Sequence, residues 1–177
     1  MEKYIYLVKN YPLLSAFCQF AILGTFGELL AICINKKKLV FSWSLSKLIM
    51  KMLAWGILGI VIKYGFKGMK GFVSALIIAG YIPDMSGIVH SFYISFFTNL
   101  FFGPQMMLFH RIEDNLIDGN IRPSKWDFSG MMKSIKTLAW FWVPAHTITF
   151  ILPVDFQIGL AAIWGVVLGI ILGGGKK

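Results

Sequence analysis

The chain has 177 residues and a mass of 20.0 kDa, is 57% hydrophobic with a mean hydropathy of +0.72, and carries 17 basic against 8 acidic side chains for a net charge of +9. That apolarity excludes an ordinary water-soluble enzyme and points to an integral membrane protein. The positive charge does not make a nucleic-acid binder, because the lysines fall in short runs between apolar segments, as at Lys36 to Lys38, where they hold loops at anionic headgroups.

Glu2 to Asn10 is a short polar lead, and a first membrane helix is predicted near 11–34, apolar apart from Gln19, Glu28 and small hydroxyls. About 20 apolar residues at 1.5 Å each cross a bilayer core, so this run suffices with some tilt. Cys18 and Cys33 on that helix are separated by about 22 Å, whereas a disulfide needs α-carbons within roughly 7 Å, which excludes an intramolecular bridge. Asn35 and three lysines end the helix, and Ser42 or Ser44 can cap the next one, near 46–66. Its wholly apolar core, MLAWGILGIVI, is short for a span, which requires Lys51 and Lys63 to snorkel to opposite interfaces.

GFKGMKG, from Gly65 to Gly71, favours a loop or an interfacial kink, since glycine weakens a helix. The stretch 72–82 is either a half-depth helix or an extension of the preceding one. A third span is expected near 86–110, interrupted by His90, Asn99 and Pro104. The charged, turn-rich segment from His110 to Phe128 then lies outside the bilayer, where Ser124 and Asp127 have the spacing of a capping box opening a short amphipathic helix through Met132. Pro144 and Pro153 divide the last long apolar run into helices near 136–152 and 155–173 that meet at Pro153, with Asp155 as N-cap of the second. Ala161, Gly165, Gly169 and Gly173 recur every four residues on that helix, the small-residue face by which membrane helices pack.

The fold class is therefore all-α: a polytopic membrane helix bundle of about four spans in a single transmembrane domain, with five or six membrane helices and a short amphipathic one. With four crossings, ten of the 17 basic residues fall in the first and third loops, which leans those loops toward the cytoplasmic or matrix side.

Polar groups inside the spans are the functional candidates, since burial in a bilayer is costly. Glu28 shares a helix face with Gly24 and Thr25 and either faces a polar route or reaches the interface beside the Lys36 cluster. His146, with Trp142 at i−4, Thr149 at i+3 and Pro144 beside it, is either structural or pore-lining. His90, Asn99 and Gln105 dot the third span, and interhelical hydrogen bonding is the alternative to lining a cavity. Asp155 can also serve as counter-ion to a basic residue of a neighbouring helix. His110, Glu113 and Asp114 have a spacing that holds a metal in some helices, but beside Arg111 they read as a solvated charge cluster, and no metal or cofactor is expected. No phosphate-binding loop, nucleophile elbow or paired intramembrane carboxylate appears, so the expectation is not an enzyme.

The order of these features resembles the Mpv-seventeen and 22-kDa peroxisomal membrane protein family over almost the whole chain. Tyr11-Pro12 followed by GTFGE at Gly24 to Glu28 is similar to the family's opening aromatic-Pro and Gly-Asp. TNLFFGP at Thr98 to Pro104 resembles its Asp-Gln with a following proline, and Trp126 with WFWVPAHTITFILP at Trp140 to Pro153 resembles its closing signature. The departures are Ile60 where the family has Gly-Pro, a shorter interval between Pro144 and Pro153, and Gln157 in place of an arginine. The resemblance implies a pore-like or transport role for small metabolites, in an organellar membrane (mitochondrial or peroxisomal) of a eukaryote or the plasma membrane of a microbe.

The expectation is thus a channel or transporter-like protein for small polar, anionic metabolites. Glu28, Thr25, Asn99, His146, Thr149 and His90 are the intramembrane candidates, and Lys63, Lys67, Lys70 and Arg111 the interfacial charges that concentrate anions. Its partners are the lipid bilayer, the solute and a second copy of the chain. The alternative is a structural or stress-related membrane protein that acts through helix association and moves nothing.

Overall fold

The fold comes from a computed structural model that describes residues 1–39, 41 and 43–174, the side chains of 172–174 excepted. Among the described residues the chain is all-α with no strand: α1 (Glu2–Asn10), α2 (Pro12–Lys36), α3 (Leu45–Ile78), α4 (Gly87–Phe97), α5 (Gly103–Ile117), α6 (Met131–Thr137), α7 (Val143–Ile151) and α8 (Val154–Gly174). Five-residue π-helical inserts, Thr98–Phe102 and Leu138–Trp142, join α4 to α5 and α6 to α7. Among the described residues three helices, α2, α3 and α8, are long and apolar enough to cross a membrane. The chain divides into two compact units, Met1–Val61 with Ile158–Lys177, and Ile62–Gln157.

In the first unit α2, α3 and α8 pack through small residues. Along α2 from Ala16 to Glu28 the neighbours on α3 run backwards, from Gly59 through Gly56 and Trp55 to Lys51, so these helices are antiparallel. Gly159 faces Gln19, and Val166 and Gly169 face Gly27, so α8 runs parallel to α2. A β-carbon on Gly59 would lie 2.6 Å from the carbonyl oxygen of Ala16, too close for any residue but glycine, and one on Gly169 would lie a tight 3.0 Å from that of Gly27. Five alanines, Ala16, Ala21, Ala54, Ala161 and Ala162, are buried together with Val8, Phe20, Leu58, Ile158 and Leu168, while Ile22, Phe26, Leu53, Ile57 and Ile163 point outward. A large-apolar exterior around helices that approach closely at glycines suits lipid as the surrounding medium, where packing rather than apolar burial drives helix association.

In the second unit two long helical arms form an antiparallel hairpin. α4 packs on α7, the two π-helical inserts face each other, and α5 packs on α6. Each insert has the same local cause. Pro104 and Pro144 lack a backbone N–H, and their rings would collide with the carbonyl four residues back, at Leu100 and Trp140. Widening the turn relieves the collision, and the residue before each proline makes the wider bond instead: Gly103 N–H to Thr98 O and Val143 N–H to Leu138 O. Phe66 and Val73 of α3, Ile94, Leu138, Phe141, Ala145 and Phe150 make up this core.

Several sequence-based expectations change. GFKGMKG forms no loop or kink: α3 continues through it to Ile78, about 51 Å at 1.5 Å per residue, and so absorbs most of the 72–82 stretch as an extension. The glycines there are tolerated because Phe66 and Val73 bury on either side and the Phe102 ring rests directly on Gly65. Lys51 does not snorkel; it is 4% exposed and ion-paired. The Ser124 and Asp127 capping box does not form. Ser124 lies in a 3-10 turn, the helix begins only at Met131, and Asp127 Oδ1 instead accepts the Ser129 N–H at 2.8 Å. Pro153 does separate two helices, but α8 starts at Val154, so Asp155 sits inside its first turn rather than capping it. Its charge still favours the positive helix end. Ser44 caps α3, accepting the Lys47 N–H at 3.3 Å, whereas Ser42 lies outside the described residues.

Candidate functional site

The polar residues of the second unit converge where its two π-helical inserts meet. Asn99, 4% exposed, uses one amide hydrogen on Ser95 O at 2.8 Å and the other on His146 Nδ1 at 3.1 Å. The bond to a carbonyl fixes which end of the amide is nitrogen. His146 Nδ1 is therefore an acceptor, and the imidazole proton sits on Nε2. Ser95, fully buried, donates to Val143 O at 2.7 Å and so ties α4 to the residue that follows the second insert. Around the imidazole stand three aromatic rings: Trp142 at 5.0 Å between centroids, Phe66 edge-on at 5.2 Å, and Phe150 at 6.1 Å.

Two polar atoms in this cluster are buried with no hydrogen-bond partner, Asn99 Oδ1 and Trp142 Nε1. One is an acceptor and the other a donor, and both belong to residues in contact with His146. An unsatisfied buried polar group costs about 1–3 kcal/mol, so the pair is unfavourable as it stands. Thr149, also fully buried, donates its hydroxyl to Ala145 O at 2.9 Å. His90 lies nine residues before Asn99 on the same arm, about 13 Å away along the helix, and is half-buried.

In the first unit Glu28 forms an ion pair rather than an open acid. Lys51 Nζ is 2.6 Å from its Oε1, and Trp55 Nε1 donates to its Oε2 at 3.1 Å. Lys51 also lies 5.8 Å from the Trp43 ring. Neither sequence-based reading of Glu28 anticipates this, since the partner is Lys51 and not the Lys36 cluster. Gly24, on the same face of α2, is covered by the Trp55 ring, and the Thr25 hydroxyl is buried beside it without a partner.

Of the small residues predicted for α8, Ala161 is buried and Gly169 meets the Gly27 backbone, but nothing lies within 4 Å of a β-carbon placed on Gly165. Gly165 therefore makes no close packing contact within this chain. Gly173 lies outside the residues whose surroundings are described.

The interfacial charges differ from one another. Lys67 is exposed, Lys63 and Lys70 are half-buried, and Lys70 donates to Gln157 Oε1. Asp155 attracts Lys63, in keeping with its counter-ion reading. The Arg111 guanidinium rests on Gly130, which ties α5 to the start of α6. His110 stands 3.7 Å from Glu113 and 3.8 Å from Asp114, a loose charge cluster on one helix face.

Sequence reasoning missed Asn115. It is 4% exposed and grips Asp127 at both backbone groups: its Oδ1 accepts the Asp127 N–H at 2.7 Å, and its Nδ2 donates to Asp127 O at 3.2 Å. Trp126 Nε1 donates to Asn120 O at 2.8 Å, so the segment between α5 and α6 is a built structure. The Ser129 N–H bond, followed by the Arg111 charge, holds the Asp127 carboxyl below its ordinary range. Ser95 was missed as well, for want of any local signal; an intramembrane serine reads as a small hydroxyl.

No protein-family model, characterised protein or solved structure matches the chain.

Proposed function

We propose that this chain is a channel or transporter-like membrane protein that passes small polar metabolites, with the Asn99–His146 cluster as its recognition point. The observation that carries the reading is the pair of unsatisfied buried atoms, Asn99 Oδ1 and Trp142 Nε1, beside His146 where two π-helical inserts face each other. Buried polar groups in membrane helices mark solute or proton pathways, and π-helical inserts recur at functional sites. The resemblance to the Mpv-seventeen family supports the same role, and the excess of basic over acidic residues favours anions among the solutes. Glu28 carries less of this reading than Asn99, because Lys51 neutralises it.

The test is solute flux into liposomes holding the purified protein, with a panel of small carboxylates, phosphate and neutral polyols. Flux above protein-free vesicles, lowered at least tenfold in Asn99→Leu, is the expected result. No flux above protein-free vesicles from well-folded protein removes the proposal.

A second reading is a structural membrane protein that acts through helix association. The close approach of Gly27 and Gly169 and the closed Glu28–Lys51 pair favour it. On that reading Asn99→Leu alters stability and leaves no transport phenotype.

A further inference from the structure

Helix α3 places Lys63, Lys67 and Lys70 at successive spacings of four and three, so their ammonium groups line one face over two turns. They repel one another: the charges of Lys63 and Lys67 both act on Lys70. Against three cations stands the carboxylate of Asp155, acting on Lys63. Lys70 is held in place. Gln157 accepts its hydrogen bond, the buried Gln157 is itself fixed through Nε2 to Leu152 O at 2.8 Å, and the ammonium lies 5.5 Å from the Phe150 ring. The surface beside the lysines is bare. Gly68 and Gly71 have nothing within 4 Å of where a β-carbon would stand, and Tyr64 is exposed one turn before Lys67.

Like charges at this spacing weaken a helix, and a half-buried ammonium has lost part of its hydration, so the cluster is unfavourable until an anion shares it. An anion with several acceptor oxygens can bridge neighbouring lysines, and the glycines leave room for it against the helix. Lysine beside tyrosine is also the pairing that membrane proteins place at headgroup level. We propose that the Lys63–Lys67–Lys70 face binds a phosphate-type oxyanion, presented as the headgroup of an anionic phospholipid or as free phosphate.

The experiment uses the full chain in mild detergent, with native mass spectrometry read after addition of phosphatidylglycerol or of phosphatidylcholine with the same acyl chains. The wild type is expected to retain phosphatidylglycerol preferentially, with the preference falling about fivefold for each of the three lysines replaced by glutamine. Lys125→Gln/Lys133→Gln/Lys136→Gln removes the same charge at exposed positions elsewhere and is expected to keep the preference. Millimolar inorganic phosphate in the same samples separates the two sources: displacement of the lipid assigns the face to free phosphate as well, and its absence assigns the headgroup alone. If the triple glutamine variant fails to fold, Lys67→Gln, exposed and not the lysine that bonds Gln157, carries the test with a single step of loss. Equal retention of both lipids with no effect of phosphate, or equal loss in the two triple variants, overturns the proposal.

Discussion

Lys51 Nζ lies 2.6 Å from Glu28 Oε1, which joins α2 to α3 through two charges that sequence position alone does not pair. Lys51 is almost wholly enclosed, with 5% of its side chain exposed, and Glu28 is partly exposed at 24%. Breaking such a pair from one side leaves a buried charge uncompensated, at a cost of about 3–5 kcal/mol, whereas removing both charges together is close to neutral. Glu28→Leu is therefore expected to lower unfolding stability sharply in detergent, and Glu28→Leu/Lys51→Leu to recover most of the loss. A double variant as unstable as the single one would mean that the pair is not what Glu28 contributes.

The membrane class, the helix boundary at Pro153 and most helix positions were legible in the sequence because they follow from apolar run length and from proline, both local properties. The course of α3 through GFKGMKG was not. Glycine argues locally for a break, and what overrides it is the burial of Phe66 and Val73 and the seat that Gly65 gives Phe102, contacts made 37 residues apart in the case of Gly65 and Phe102. Asn99 and His146 were individually legible as polar groups within apolar runs, but their meeting was not, because it depends on two arms lying antiparallel with their inserts opposed. Asn115 resembled any polar residue of a charged segment, and only the path of the chain back to Asp127 gives it a role.

Asn115 should govern the order of residues 118–130. Replacing it by alanine leaves the Asp127 N–H and carbonyl without their partners. Hydrogen exchange is expected to speed up across this segment in Asn115→Ala while the exchange of α2 is unchanged. Uniform acceleration in both regions would show a general loss of fold instead.

The same segment should respond to acid. The Asp127 carboxyl is held below its ordinary range mainly by the Ser129 N–H, so the folded segment favours the charged form. Its contribution is complete above the unfolded carboxylate range, near neutral pH, and is lost as the pH falls through the lowered folded value, below about pH 4. Protection of the Ser129 amide, corrected for intrinsic exchange, should therefore hold from pH 7 to 5 and decline below about 4. Asp127→Asn should flatten that profile. A wild-type decline centred near pH 6 would assign it to another group.

Glycines of the first unit should divide by what they touch. A methyl group on Gly59 meets the Ala16 carbonyl oxygen at 2.6 Å and the Phe20 β-carbon at 2.7 Å, neither of them a flexible chain end. Gly59→Ala is expected to destabilise by about 1–3 kcal/mol through overpacking. Gly165→Ala meets nothing within 4 Å and should be neutral or stabilising by up to about 1 kcal/mol through helix propensity. Thermal unfolding in one detergent ranks the two, and the reverse order would contradict the α2–α3 approach.

The direction of the Asn99–His146 hydrogen bond gives the sharpest check on the candidate site. Asn99 donates both amide hydrogens, one to Ser95 O and one to His146 Nδ1, so the position needs a donor rather than merely a polar group of the right size. Asn99→Leu removes the donor and leaves His146 Nδ1 unsatisfied, at a cost of about 1–3 kcal/mol. Asn99→Asp keeps the shape but sets carboxylate oxygens against two acceptors, and should be worse than leucine at neutral pH in both unfolding stability and solute flux. If aspartate instead matches the wild type in both measurements, His146 is itself the donor, its proton sits on Nδ1, and the cluster presents the opposite polarity to a solute.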